Sequence, residues 1–568
     1  METANSHPAN QATSWQQTFL LSVLLFCGLS IISGGYHLFR YNQSIQLSLV
    51  YLLNDATLFQ GDPFAGTLSS YSSFFWWLVA YLARLAPLEA VLFGLFVVEK
   101  LLLIYAAGRL ASVFAPSSRL AVITTMALFA LGLTPLVGSG TVTADYTEHT
   151  AFSIPFFLLA AASFHHRKMF TWALWTAVGF NFNSLYGAYA LTYFGLVFLL
   201  DSDYRNAWLQ WLAAFAGFLL MASPTIYLTL SAYKVAAADN EVWFQVARQR
   251  FPHHLFPLAW QPFAYLKLAV FTALVFAVSF WQRNSYPKLV RHLLIWTVVA
   301  FLWLLFAYAA AYLFKQPWML VFHPGRATDI WYAFGATGVI VLISNALEQQ
   351  HNKFNYALLL LALITMLVFW QPRLTPPLLV MLAVFGILSW AIQHKSDNNC
   401  TSIGIILLCA LSISGLNVAD RVQKQGNLAQ AMYVHPAQEK MTLATWLREQ
   451  TGAQDTVLFF PDWSHFRALS QRPAFVTIKD ASAILWDRSY ASEWVRRVEA
   501  LGYDFGEGKQ GLSVMKKRAA AAYARLDDDS VLQLQAQYGL RYWIVPTGKT
   551  SSFETVFSTA NYRILELI

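Results

Sequence analysis

Long apolar runs, separated by short polar segments, fill the chain up to about residue 419. A membrane-spanning helix needs roughly 17–25 predominantly apolar residues. The run from Tyr71 to Leu85 is shorter and carries Arg84 near its end, which is typical of a helix lying in the membrane interface. By this measure the sequence predicts about thirteen spans, near residues 18–36, 87–108, 119–138, 150–164, 170–183, 185–200, 206–230, 263–281, 292–314, 327–346, 354–371, 376–393 and 402–419.

The pattern changes after about Asp420, where polar runs such as ATWLREQTGAQ and RLDDDS become frequent. The short apolar stretches VLFFP, AFVTIK and YWIVP predict strands, whereas SYASEWVRRVEALG and the stretch from Gly511 to Tyr538 predict helices. Strands that alternate with helices are typical of an α/β domain. We therefore predict an α-helical polytopic membrane domain over residues 1–419, with a long first loop at 37–86, and an α/β domain over residues 420–568.

Composition supports the membrane assignment. Hydrophobic residues make up 57% of the 568 residues and charged residues only 12%, whereas a soluble protein has about 45–50% apolar and about 25% charged residues. The formal net charge is +8. Because the basic residues are scattered, with no run of five to eight Lys or Arg, this charge predicts contact with membrane lipids and not with nucleic acid.

The distribution of basic residues predicts an orientation. If the amino terminus is cytoplasmic, eight basic residues fall on the cytoplasmic side, as the positive-inside rule requires. These are Arg109, Arg119, Arg167, Lys168, Arg205, Arg283, Lys288 and Arg291. An odd number of spans then places the first loop and the α/β domain on the opposite side.

Four segments on that opposite side carry polar residues beside the membrane. Two are acidic and two combine arginine with histidine. Carboxylates can act as general bases or bind a metal, and arginine suits a phosphate group. Together they predict group transfer from a phosphate-bearing lipid. The segments contain Asp55 and Asp62; Asp145, Glu148 and His149; Arg248, Arg250, His253, His254 and Trp260; and His323, Arg326 and Asp329.

Each of these residues also has a structural interpretation. Asp62 precedes Pro63, a pattern that favours a helix cap, and Asp55 suits a turn. Asp145 and Glu148 fit an exposed loop. The two adjacent histidines fit stacking at the interface. For zinc, the sequence has neither HExxH nor a Cys/His set.

The segment FPDWSHFRALSQRPAFVTIKD of the α/β domain is also rich in polar residues. It carries Asp462, His465, Arg467, Arg472 and Lys479. One hypothesis is a loop that covers the membrane site and binds a polar acceptor. The other is a solvated loop whose Trp463 and Phe466 pack the domain.

An acidic first loop, an interfacial aromatic helix, a second acidic loop after span three and a terminal soluble domain resemble the GT-C superfamily of polyprenyl-phosphate-dependent glycosyltransferases. The strings DPF, RFPHHLFPLAW, HPGR and FRALSQRPAFVTIKD followed by SEWVRRV resemble, more narrowly, a little-characterised family of bacterial membrane proteins. The narrower resemblance covers nearly the whole chain.

The resemblance implies a multi-pass enzyme of the bacterial inner membrane with a periplasmic active site, acting in the cell envelope. The donor would be a sugar on a polyprenyl phosphate, and transfer would invert the anomeric centre. The first-loop acid would be Asp62, with Asp55 as second choice, and the second-loop acid would be Asp145 or Glu148. Either could be catalytic or bind a divalent cation. The lipid phosphate would contact Arg250, His253, His254 and Arg326.

One departure from the GT-C pattern leaves an alternative open. Many GT-C enzymes carry an acid very soon after span one, but GGYHLFRYNQSIQLS has none. Either the acid has moved to Asp62, or the protein is a non-catalytic lipid-binding, transport or polysaccharide-assembly protein that keeps the GT-C shell.

Overall fold

The computed structural model describes residues 7–133, 135–138, 142–232, 239–349, 362, 399–505 and 511–567. The chain is mostly helical. Within the described residues, seven segments are long and apolar enough to cross a membrane. They are Trp15–Gly34, Leu88–Phe114, Trp208–Ser231, Pro262–Gln282, Pro287–Phe314, Pro317–Gln349 and Ile403–Gln425.

The thirteen predicted spans are therefore not confirmed as a set. Four of them form helices of 13 to 17 residues, namely Arg119–Leu131, His149–His165, Met169–Phe182 and Ser184–Leu200. Two of these helices begin at a polar cap, because Glu148 and Asn183 each accept backbone N–H groups at the start of His149–His165 and Ser184–Leu200. The spans predicted at 354–371 and 376–393 lie outside the described residues, apart from residue 362.

The segment Pro317–Gln349 lies at the centre of the bundle, and its most apolar stretch is wholly buried. Trp331 on this segment is buried and packs edge-on against Phe271, while its indole N–H donates to Thr297 at 3.0 Å. Because the indole N–H has an acceptor, the apolar area of Trp331 stabilises the bundle without the cost of a buried, unpaired donor. The other membrane helices therefore pack around this central helix.

The first loop is folded and largely helical. Its elements are the helices Gln43–Asn54, Pro63–Thr67 and Phe74–Leu82 and the 3-10 turn Leu68–Ser70. On Phe74–Leu82, Phe75 and Trp76 are buried whereas Trp77 and Tyr81 are exposed, as expected for a helix in the interface. One apolar cluster joins this loop to the C-terminal part of the chain and includes Trp76 and Trp494.

The polar segment after residue 239 also forms helices, and these connect to the later membrane helices. The remaining elements before the C-terminal part are the helices His7–Gly34, Ser202–Arg205, Trp208–Ala232, Asn240–Arg250, Pro252–Leu255, Pro287–Tyr308, Pro317–Leu320 and Ala327–Gln349, the 3-10 turns Pro257–Ala259 and Pro324–Arg326, and the π-helix Ala309–Phe314.

A short parallel ladder joins the two ends of the membrane region. Strand β1 (Tyr36–His37) follows the first helix and pairs with β2 (Tyr433–Val434), which follows the last. Gly35 precedes β1 with φ +67°, and a Cβ there would lie 2.9 Å from the carbonyl oxygen of Ala431. The chain therefore needs glycine at this position, both for its left-handed backbone and for the close approach.

The C-terminal part contains a four-stranded mixed sheet with the order β3-β4-β6-β5. Its strands are β3 (Thr456–Leu458), β4 (Leu540–Pro546), β5 (Glu554–Ser558) and β6 (Tyr562–Glu566). The membrane helix Asn399–Gln425 precedes this part. The helices of the part itself are Leu428–Met432, Gln438–Gln450, Phe466–Ser470, Tyr490–Ala500, Leu512–Arg525 and Asp528–Tyr538. A separate domain with a boundary at residue 420 stays a prediction.

The strand predicted for AFVTIK is wrong. Ala474 makes one isolated bridge with Val457, and the chain then turns into a 3-10 helix, Ile478–Leu485. Thr477 and Asp480 form a capping box at its start. This reciprocal pair satisfies the first free N–H groups and ends the extended backbone.

We predict that Gly35→Ala lowers the melting temperature of the purified protein in detergent. Forcing an L-residue into a left-handed conformation costs about 1–2 kcal/mol, and the contact with Ala431 adds to this. Gly28→Ala is the control, since Gly28 lies inside the first helix, where an added Cβ would meet nothing within 4 Å. That change should leave stability unaltered or raise it by up to ~1 kcal/mol. Equal melting temperatures for the two variants would contradict the assignment.

Candidate functional site

A cavity of about 750 Å³ lies where the first loop, the second acidic loop and the C-terminal part meet the membrane helices. Of the eight predicted site residues, five line it: Asp145, Arg250, His253, His254 and Arg326. A smaller chamber of about 250 Å³ adjoins it and is lined by Glu148. The two spaces share Asn42, Arg250, His254, Arg326 and Lys479, so these five side chains form their common wall.

Three cations of the common wall come from three distant parts of the chain. Arg250 is the last residue of the helix Asn240–Arg250, where a positive charge is favoured by the helix dipole. Arg326 closes the turn Pro324–Arg326 before the central membrane helix. Lys479 lies in the first turn of Ile478–Leu485, where the same dipole disfavours a cation.

These cations have few protein partners. Lys479 donates to the side-chain oxygen of Asn42 at 2.7 Å, and a terminal nitrogen of Arg326 lies 3.2 Å from Nδ1 of His254. The Nε atoms of Arg250 and Arg326 are buried without a hydrogen-bond partner in the described part of the chain. Among those residues, no carboxylate forms a salt bridge with any of the three cations. The wall therefore carries positive charge that an anionic ligand would neutralise.

The pKa shifts of Arg250 and Lys479 on the wall, and of His253 beside it, agree with this geometry. Burial, followed by the charges of Arg250 and Arg326, lowers the pKa of His253 from 6.5 to about 4. Burial and the same two arginines hold the pKa of Lys479 well below its usual range. Burial alone lowers the pKa of Arg250 to about 10. The imidazole is thus neutral near pH 7, and the cations oppose each other's charge.

Asp145 lies on the wall of the large cavity with 29% of its side chain exposed. Its carboxylate is ion-paired with Arg40 and lies 3.7 Å from Nε2 of His37. The backbone N–H of His37 donates to the carbonyl of Asp145 at 2.8 Å, which ties the second loop to β1. Asp145 is therefore an accessible carboxylate in a fixed position.

Glu148 has a different environment. It is buried and caps the helix His149–His165, accepting the N–H groups of Thr150 at 2.9 Å and Ala151 at 3.3 Å. Its other oxygen lies 3.4 Å from the amide nitrogen of Asn42. It borders the small chamber, but much of its hydrogen-bonding capacity serves the helix.

The two first-loop acids lie elsewhere. Asp62 is buried and caps the helix Pro63–Thr67, as the Asp-Pro pattern allows, and its second oxygen accepts from Arg467 at 2.6 Å and from the N–H of Ala474 at 3.0 Å. Asp55 is exposed and accepts from Thr57. Neither lines either of the two spaces described above. The contacts of Asp62 are structural, whereas Asp145 lines the large cavity together with Asp420, which is paired with Lys424.

Sequence reasoning missed several residues of the cavity. His37, Arg40, Lys100, Arg421 and Lys424 also line it. Lys100 donates to the carbonyl of Ala144 at 2.5 Å and to Glu99 at 3.1 Å. An ionisable residue within a membrane span was the available signal, since such residues are costly unless they serve a polar site.

Within the described residues, no group of three or more His, Cys, Asp or Glu side chains could hold a metal ion. Of the polar residues in the segment FPDWSHFRALSQRPAFVTIKD, only Lys479 lines either space. Arg472 instead donates to the backbone of Arg448 and Thr451. The hypothesis that this loop covers the site and binds an acceptor stays a prediction.

Comparison with known proteins gives a fold but no family for the whole chain. A family model described as "Domain of unknown function (DUF6798)" matches residues 438–501. The chain is similar to the crystal structure of ArnT from Cupriavidus metallidurans in the apo state, at 10% identity, TM-score 0.50 and 98% coverage of each chain. It is also similar to the same protein bound to undecaprenyl phosphate, at 12% identity, TM-score 0.49 and 98% coverage of each chain. No curated protein matches the sequence.

The similarity to the apo structure shows that the chain has an ArnT-like membrane fold. The narrower bacterial family and its motifs stay a prediction.

We expect the protein to lose thermal stability as pH falls from about 6.5 toward 4. The imidazole of His253 titrates near 6.5 in the unfolded chain and near 4 in the folded one, so the unfolded chain binds more protons in this window and gains in relative stability. Melting temperatures between pH 8 and 4.5 check this. His253→Gln should show a smaller loss, and the exposed His435→Gln should behave as wild type. Identical losses in all three would contradict the burial of a neutral His253.

Proposed function

We propose that the protein is a GT-C-type glycosyltransferase that moves a sugar from a polyprenyl phosphate to an acceptor hydroxyl. The observation that carries this proposal is that Arg250 and Arg326 line the large cavity and form no salt bridge with any carboxylate among the described residues. A phosphate is the anion that arginine binds best through paired hydrogen bonds. The lipid tail of the donor would remain among the membrane helices.

Asp145 is the proposed general base. It would take the proton of the acceptor hydroxyl while that oxygen bonds to the anomeric carbon and the bond from this carbon to the phosphate oxygen breaks. Attack from the face opposite the phosphate inverts the anomeric centre. Polyprenyl phosphate leaves, and its developing negative charge faces Arg250 and Arg326, which are fixed before the reaction starts.

The arrangement of charges supports a periplasmic location for this site in a bacterial inner membrane. The helix His149–His165 begins beside the cavity and ends at a cluster of basic residues at the other end of the bundle. There Arg291 pairs with Asp201 at 3.1 Å and Lys288 donates to the carbonyl of His165 at 2.6 Å. Positive charge favours the cytoplasmic side, so the cavity and the C-terminal part would face the periplasm, where an envelope acceptor is available.

The proposed base is tested by transfer of radiolabelled sugar from a panel of undecaprenyl-phosphate-linked sugars to an extract of envelope lipids and glycans, with Mg²⁺ present. We expect Asp145→Asn to lower the rate at least about 100-fold, the usual contribution of a general base. Asp527→Asn, which keeps an exposed helix cap in the C-terminal part, is the matched control. Full activity of Asp145→Asn would reject this base. Donor binding without transfer by the wild type would favour the non-catalytic lipid-binding alternative.

The phosphate site is tested by binding of undecaprenyl phosphate to the purified protein. Removing one charged hydrogen-bonding partner costs about 1.5–3 kcal/mol, so Arg326→Ala should weaken binding by one to two orders of magnitude. Arg205→Ala is the control, because Arg205 is exposed and bonds only to the carbonyl of Leu199 among the described contacts. Unchanged affinity of Arg326→Ala would place the lipid phosphate elsewhere.

A further inference from the structure

A three-residue ion group lies buried behind the common wall, and it joins the first loop to the C-terminal part. Nε of Arg467 donates to Asp62 at 2.6 Å, and its two terminal nitrogens donate to the two oxygens of Asp480 at 2.7 Å each. All three side chains are at most 2% exposed. We refer to Asp62, Arg467 and Asp480 as the ion triad.

The ion triad fixes the first turn of the 3-10 helix Ile478–Leu485. Asp480 accepts from the N–H and the hydroxyl of Thr477, both at 2.8 Å, in the capping box. The carbonyl of Thr477 in turn accepts from the indole of Trp494 at 3.0 Å. Both the side chains and the backbone of this turn are therefore fixed by hydrogen bonds.

Lys479 immediately precedes Asp480 in this turn. Successive side chains of a 3-10 helix point about 120° apart, because one turn takes about 3.0 residues. Asp480 is directed inward to Arg467, and Lys479 is directed into the cavity, where it donates to Asn42. The position of the lysine amine thus depends on the anchoring of its neighbour.

The other end of the same helix is tied to the elements that supply the rest of the site. The carbonyl of Ile484 accepts from the indole of Trp243, which lies on the helix that ends at Arg250. The indole of Trp486 donates to Thr67 of the first loop at 3.1 Å. These contacts fix the position of Lys479 relative to Arg250.

The placement of Lys479 is costly without a ligand. Its ammonium group lies near the start of a helix and lines the same wall as Arg250 and Arg326. No described carboxylate pairs with it. A phosphate between the three cations would remove this mutual repulsion and supply acceptors for all of them.

We propose that Lys479 is a third ligand of the lipid phosphate, and that the ion triad positions it, so that Asp62 acts through Arg467 and Asp480. The inference rests on the proposed polyprenyl-phosphate site. It gives the C-terminal part, and within it the segment matched by the DUF6798 model, a direct role in binding the donor.

The test is a double-mutant cycle with the full-length protein and undecaprenyl phosphate as the probe. We expect Lys479→Met to weaken binding about tenfold or more, and Lys479→Arg to restore most of it. Asp62→Asn keeps a helix-capping side chain and should weaken binding several-fold. In the Lys479→Met background, Asp62→Asn should cause no further loss, because its effect passes through the lysine. Asp527→Asn is the control for loss of a carboxylate at a helix cap.

Additive losses in the double variant would overturn the positioning role, since a general loosening of the structure acts independently of Lys479. An unchanged affinity of Lys479→Met would overturn its role as a ligand. If Asp62→Asn does not fold, labelling keeps the ligand role testable. An amine-reactive reagent followed by mass spectrometry should modify Lys479 less when undecaprenyl phosphate is present, and no protection would reject the assignment.

Failure of this inference can be distinguished from failure of the proposed function. Binding is measured without an acceptor, so a protein that binds the lipid through Lys479 but transfers no sugar supports the inference and rejects the transferase. A protein that transfers sugar with unaltered affinity in Lys479→Met rejects only the inference.

Discussion

Arg467 lies between two carboxylates that are more than 400 positions apart in sequence, and this contact joins the two polar parts of the molecule. Removing one partner of such a buried ion contact costs about 3–5 kcal/mol, because it leaves a charge buried without compensation. An apolar contact could hold the first loop against the C-terminal part, but it would tolerate sliding. A bidentate arginine accepts one geometry. The ion triad thus fixes the register in which both parts meet the membrane helices.

The buried arginines Arg467 and Arg250 differ in their hydrogen-bond partners, and this difference distinguishes a structural arginine from one that could bind a ligand. Arg467 has a carboxylate oxygen for each of its donors toward Asp62 and Asp480. Arg250 has a buried Nε with no hydrogen-bond partner among the described residues, and its guanidinium group packs over the ring of Phe251. Burial alone does not distinguish the two. The number of N–H donors left without an acceptor does, because most buried donors in a folded chain are hydrogen-bonded and an exception calls for an explanation.

Much of the architecture could be predicted from the sequence, since apolar run length is a strong local signal. Seven predicted spans correspond to long apolar helices, and the clustering of Arg250, His253, His254 and Arg326 was anticipated from loop chemistry. The strand AFVTIK failed because a capping box overrode β propensity at Thr477. The sequence offered Asp62 as a catalytic acid or a helix cap, and it placed Lys479 in a segment that could cover the site. It could not show their contacts with Arg467 and Asn42, because these partners lie more than 400 positions away. Of the four predicted acids, Asp145 is the one that lines the large cavity, where it pairs with Arg40, a partner more than 100 positions away in the sequence.

The common wall between the large cavity and the small chamber has a kinetic consequence. If the wall binds a lipid phosphate as proposed, one set of cations serves both spaces, so a sugar-bearing lipid phosphate and a spent one could not occupy it together. Each cycle would then end with the departure of the used carrier before another could enter. Because a bound phosphate would relieve the mutual repulsion of the cations, tight binding of the used carrier would slow that exchange.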